Sequence, residues 1–103
     1  MTEVKNSKQY DLEERTLRFA KEVIEFVNIL PKTMANIEIV KQIIRSSGSV
    51  GANYIEANEA LSKKDFTMRV KICRKEAKES RYWLRLIEVR IGDAEWRKQN
   101  DKF

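Results

Sequence analysis

Apolar residues recur at helical spacing along almost the whole chain, and nothing in it alternates with the period of a strand. With one proline and three glycines in 103 residues, few positions can interrupt such a pattern. A chain of this kind can bury its apolar stripes only by packing helix against helix. The expected fold is all-α, an up-down antiparallel four-helix bundle with a short fourth helix. Residues 1–10 show no periodicity and read as a flexible N-terminal arm, with residues 11–103 forming a single domain.

The helix limits follow from their punctuation. Asp11, with Glu14 three residues on, has the form of a capping box. Leu12, Thr16, Phe19, Ala20, Val23, Phe26, Val27 and Leu30 then share one side of a first helix, which Pro31 stops. Asn36 is the expected cap of a second helix carrying Ile37, Val40, Ile43, Ile44, Ser47, Val50, Tyr54 and Leu61. Gly48 and Gly51 interrupt its composition, but the stripe stays in phase across them. One continuous helix is therefore expected, its glycines admitting a close neighbour. Ser62 and Asp65 open a third helix to Ile91, striped by Phe66, Val70, Cys73, Ala77, Ser80, Leu84, Ile87 and Ile91. Gly92 and Asp93 read as a turn before a short fourth helix bearing Trp96 and Phe103.

Composition excludes several chemistries. Without histidine there is no Ser-His-Asp triad, Cys-His dyad or Glu-x-x-His di-iron motif. A lone cysteine, Cys73, permits neither an internal disulfide nor a cysteine cluster, and its place in the stripe marks it as a small buried hydrophobe. Glu76 and Glu79, one turn apart, read as a charged helix surface rather than a catalytic pair. No enzyme activity, cofactor, metal site, membrane association or small-molecule substrate is expected. No apolar run reaches the length that spans a bilayer, and the polar N-terminus lacks the form of a secretory signal, so a cytoplasmic protein is expected.

Charge is distributed unevenly. Residues 1–61 carry a net charge of −1 and residues 62–103 one of +6. On the third helix Lys63, Lys64, Lys71, Arg74, Lys75, Lys78, Arg81 and Arg85 fall within about 120° of arc, running roughly 33 Å along the axis. Asp65, Glu76, Glu79 and Glu88 lie outside that arc, while Tyr82 lies within it and offers a stacking surface. The strip is a candidate track for the phosphates of RNA or DNA, read by charge rather than by sequence. Its alternative is a solvated face that keeps a helical protein soluble. On the second helix a line of Gln42, Ser46, Ser49, Asn53, Glu56 and Ala60 suggests a homo-oligomer interface or a partner-binding groove, or else an ordinary exposed flank or a polar network inside the bundle.

Several separated segments resemble a known family. The run QIIRSSGSVGANYIEANEALSKKDF, the following KICRKEAKESRYWLRLI, the opening DLEERTLRFAKEV and the Leu30–Pro31 pair look like the 23S rRNA intervening-sequence-encoded four-helix-bundle proteins of bacteria. Relatives of that family serve diversity-generating retroelements as basic pentameric accessory proteins that bind nucleic acid and a reverse transcriptase. The resemblance implies a homopentamer with a nucleic-acid-associated role. It also implies an alternative, an adaptor or scaffold docking a protein partner such as a reverse transcriptase.

Overall fold

The computed structural model describes the backbone of residues 2–99 and the side-chain surroundings of residues 11–87. Three helices follow one another: α1 (Thr2–Asn28), α2 (Met34–Asn58) and α3 (Lys63–Gln99). No strand occurs among the described residues.

Helix starts depend on which side chain reaches the free amides of the first turn. At α2 that side chain is Thr33, whose hydroxyl accepts from the Asn36 amide at 3.1 Å. Asn36, the cap expected from sequence, is instead buried inside the first turn, where its Nδ2 donates to the Pro31 carbonyl at 3.0 Å. It ties the loop to the helix rather than capping it. At α3 the expected cap holds, with Ser62 accepting from the Asp65 amide at 3.0 Å. α1 begins at Thr2, well ahead of Asp11, so the segment read as an arm is helical in its backbone. Asp11 pairs with Arg15 one turn on, at 3.6 Å, as an i,i+4 pair of the helix surface.

α2 passes unbroken through Gly48 and Gly51, as its stripe requires. α3 likewise passes through Gly92 and Asp93, where a turn was expected. A single glycine costs only about 1 kcal/mol against alanine, too little to end a helix that continues cooperatively on both sides. The segment read as a short fourth helix therefore forms the last turns of α3 as far as Gln99, and residues 100–103 lie outside the described ones.

The helices run up, down and up. Glu13 accepts from Asn58 at 3.0 Å, and a Cβ at Gly51 would meet Thr16, which sets α1 antiparallel to α2. Ser46 beside Ser80, and Asn53 beside Arg69, set α2 antiparallel to α3. Among the described residues the backbones of α1 and α3 both come close to α2 and do not come close to each other. α2 thus lies between α1 and α3 in an all-helical, up-down arrangement.

The core gathers at one end of the molecule: Val23, Val27 and Leu30 of α1, Ile39 and Ile43 of α2, and Ile87 of α3. Phe19, Phe26, Trp83, Leu84 and Leu86 pack around it. Burial of such side chains supplies about 1.5–3 kcal/mol each and orients all three helices. Toward the other end the stripe thins. Leu12, Phe66 and Val70, expected in the core, remain about 40% exposed, and Leu61 is fully exposed.

Candidate nucleic-acid interface

The face α3 turns inward decides what it leaves outward. Among the described residues its buried ones are Glu76, Ser80 and Ile87, and on a helical wheel they centre about 170° from the basic strip. Lys64, Lys71, Arg74, Lys75, Lys78, Arg81 and Arg85 are accordingly all exposed. Among the described residues none of them forms an ion pair. The strip is thus exposed as the wheel predicts, with Lys75 near enough to Glu79 to help lower that carboxyl. Tyr82 in the same arc is 60% exposed, and its ring meets Trp83 edge-on at 5.1 Å.

The structure divides the strip. Near the start of α3, Lys63, Lys64 and Lys71 surround a shallow cavity of about 570 Å³ with Thr67 and Met68. Farther along, Arg81 and Arg85 belong to a different feature, an open apolar trough of about 540 Å³ between α1 and α3. The trough also takes in Leu12, Arg15, Thr16 and Phe19 of α1, Val50 of α2, and Ala77 and Leu84. Sequence reasoning missed it, because it depends on which two stripes fail to meet. The one sequence signal was an apolar edge on α3 wider than a single partner helix covers.

Packing holds two acids of α3, Glu76 and Glu79, away from the strip. Arg45 of α2 reaches across and holds both Glu76, at 3.2 Å, and Glu79. The indole N–H of Trp83 donates to Glu79 at 3.3 Å. That bond first, and then Arg45, hold the Glu79 carboxyl below its usual range, while Glu79 in turn raises the Arg45 guanidinium. Two carboxylates that could resemble a metal pair are thus turned onto one arginine. No group of three potential metal-ligating side chains occurs among the described residues.

The polar line of α2 is divided as well. Ser46 is completely buried and shares a 2.8 Å hydrogen bond with Ser80, which also lies 2.9 Å from the Glu76 carbonyl. Asn53 accepts a long 3.5 Å bond from Arg69 and donates to the Ser49 carbonyl at 2.9 Å. Ser46 and Asn53, expected at an interface between copies, are therefore engaged within the chain. Small hydroxyls let α3 lie close to α2, and the network was one of the other readings of the same spacing. Ser49 bonds the Arg45 carbonyl at 2.8 Å, Gln42 is half-buried, and Glu56 is exposed. Cys73 is half-buried, and burial pushes its thiol up.

A different edge of the molecule is apolar and open. Ile37, Ile44 and Ile55 lie within about 20° of one another on α2, and each is exposed. Leu17 and Ile24 are exposed on α1, where the Thr16–Gly51 register sets Ile24 level with Ile44. Gly48 lies on the same edge of α2, and a Cβ there would meet nothing within 4 Å.

Taken together these features define a class: an all-α, up-down protein whose longest helix separates a buried polar seam from a cationic outer face. The family model described as 23S rRNA-intervening sequence protein matches residues 8–92. The chain belongs to that family. A solved protein of unknown function from the S23 ribosomal protein family of Bacteroides thetaiotaomicron VPI-5482 is 36% identical. That similarity covers 78% of this chain and 71% of the other, with a TM-score of 0.70. No curated protein matches the chain. No described helix is long and apolar enough to cross a membrane.

Proposed function

We propose that this protein is a non-enzymatic cytoplasmic homo-oligomer that binds RNA or DNA along the outer face of α3, by attraction to the phosphate backbone with little base readout. One observation carries the reading: Lys71, Arg74, Lys75 and Lys78 stand exposed without an ion pair among the described residues, opposite the buried face. Arginine can fork onto phosphates and stack on bases, and the strip is long enough to follow several of them. The family's description links it to ribosomal RNA genes, which favours RNA as the first polymer to test.

Self-association, on this reading, uses the edge formed by Leu17, Ile24, Ile37, Ile44 and Ile55. Gly48 supports it: the glycine costs stability in a helix, and no neighbour among the described residues needs its space. The family resemblance favours a pentamer. The fold itself is read as a four-helix bundle whose fourth corner is the trough between α1 and α3. That trough favours a second role as an adaptor for a protein partner.

The test changes Lys71, Arg74 and Lys78 to Glu and titrates labelled RNA, duplex DNA and heparin against salt. The native chain should lose affinity with a slope of about −0.7 to −0.9 in log K per phosphate contacted, and the triple variant should bind at least about tenfold more weakly. Equal affinity of the two proteins would reject this reading.

A further inference from the structure

We infer that the basic strip of α3 takes single-stranded nucleic acid in preference to duplex, because Tyr82 gives an unpaired base a ring to stack on between two cations. This deepens the nucleic-acid reading, on which it rests, by naming the strand form. Three observations carry it. Of the exposed aromatic side chains among the described residues, Phe66, at 43%, lies outside the cationic arc, while Tyr82, at 60%, lies within it. Along the axis Lys78 stands one turn before Tyr82 and Arg85 one turn after it, both exposed and about 10 Å apart in rise. Among the described residues neither cation forms an ion pair. The ring is also held in place. Trp83 meets it edge-on at 5.1 Å with the planes at 74°, and the Trp83 indole is fixed by its 3.3 Å bond to Glu79. A contact of that kind covers at most one face of the Tyr82 ring and leaves the other open.

What separates the two strand forms is the set of groups each presents. A duplex offers phosphates but keeps its base faces closed within its own stack, so Tyr82 gains no partner from it. A single strand offers phosphates and bases that splay outward. Stacking one base on an aromatic ring contributes roughly fivefold to a hundredfold in affinity, whichever base it is. The long side chains of Lys78 and Arg85 reach the phosphates flanking a base seated on Tyr82, so ring and cations act on one nucleotide. Charge alone makes the opposite choice, because a duplex is the denser polyanion. Its log K falls by about 0.9 per phosphate contacted with each log unit of salt, against about 0.7 for a single strand. Added salt therefore weakens the duplex faster and leaves stacking in place, so the preference for single strands should widen as salt rises.

The test uses the full chain and labelled oligonucleotides of about 16 nucleotides: an unstructured single strand as RNA and as DNA, the matching duplex, and an abasic DNA strand. Fluorescence anisotropy at physiological salt should show the single strands binding at least about fivefold tighter than the duplex or the abasic strand. Tyr82→Ala should lose about fivefold or more on both single strands and shift the other two by less than about twofold. Tyr82→Phe should keep the native affinity, with circular dichroism confirming the fold of each variant. The inference is overturned if the duplex binds as tightly as the single strands, or if Tyr82→Ala weakens all four polyanions equally. A loss confined to RNA or to DNA overturns stacking in favour of a sugar contact. Dissociation of the Tyr82→Ala oligomer in sedimentation overturns it too, by placing the ring between copies. If changing Lys71, Arg74 and Lys78 to Glu weakens every polyanion while Tyr82→Ala weakens none, this inference fails alone. If that triple variant binds as the native chain does, the nucleic-acid reading fails and takes this inference with it.

Discussion

Replacing Gly51 by alanine tests how closely α1 lies on α2. In an ordinary helix interior the change stabilises by up to about 1 kcal/mol. Here the new Cβ would lie 3.1 Å from Thr16 Oγ1 and 3.4 Å from Thr16 Cβ. The second distance is at the edge of ordinary contact, but the first requires the hydroxyl to move. That hydroxyl donates to the Glu13 carbonyl at 3.0 Å, so moving it forfeits a bond contributing about 0.5–1.5 kcal/mol. The propensity gain should be cancelled, leaving Gly51→Ala neutral or destabilising by about 1 kcal/mol. In a Thr16→Ala background the obstacle is gone, and the same change should stabilise by up to about 1 kcal/mol. The two substitutions should therefore couple by about 1–2 kcal/mol in a double-mutant cycle. For a chain of this size each kcal/mol moves the thermal midpoint by about 4–8 °C, so urea and thermal unfolding followed at 222 nm resolve the effect. Strict additivity, with alanine raising the midpoint equally in both backgrounds, would refute this packing of α1.

Three further outcomes are expected. Gly48→Ala should raise the stability of the isolated chain by about 0.5–1 kcal/mol and weaken self-association, since its neighbourhood is open within the chain; unchanged association in sedimentation would exclude that edge as the interface. Because the folded-state pKa of Glu79 lies below its unfolded value, its contribution is complete above the usual carboxylate range and is lost as pH falls through the folded value. Glu79→Gln should flatten the acid limb of stability below about pH 4, and an identical limb in the two proteins would count against the Arg45–Trp83 environment. Cys73, its thiol raised by burial, should react with a disulfide reagent near neutral pH more slowly than a free cysteine peptide, and an equal rate would contradict that burial.

Periodicity foretold the helical class, the unbroken α2 and the cap at Ser62, because these depend on neighbours in the chain. It did less well wherever another helix decides the outcome. The apolar stripe of α3 is centred on Leu84 and Phe66, yet its buried residues centre on Glu76, Ser80 and Ile87, displaced by about 60°. Nothing in a single stripe reveals that a serine pair and an arginine clamp draw the contact toward polar residues. The same displacement turned Ser46 inward and left the apolar edge facing the trough. At α2 either Thr33 or Asn36 has the chemistry of a cap, and the Pro31 carbonyl decides between them by engaging Asn36. The cationic strip was legible because distance from the core is itself a periodic property.

The grip of Arg45 on Glu76 and Glu79 reaches beyond the seam where it sits. It fixes both carboxylates at the inner flank of α3, and with the exposed cations opposite, the described part of the rod has an electrical sidedness across its diameter. On the proposed function, a molecule so polarised would be turned by the field of a large polyanion before the two surfaces touch. Arg45 would then bear on that approach without itself touching the polyanion.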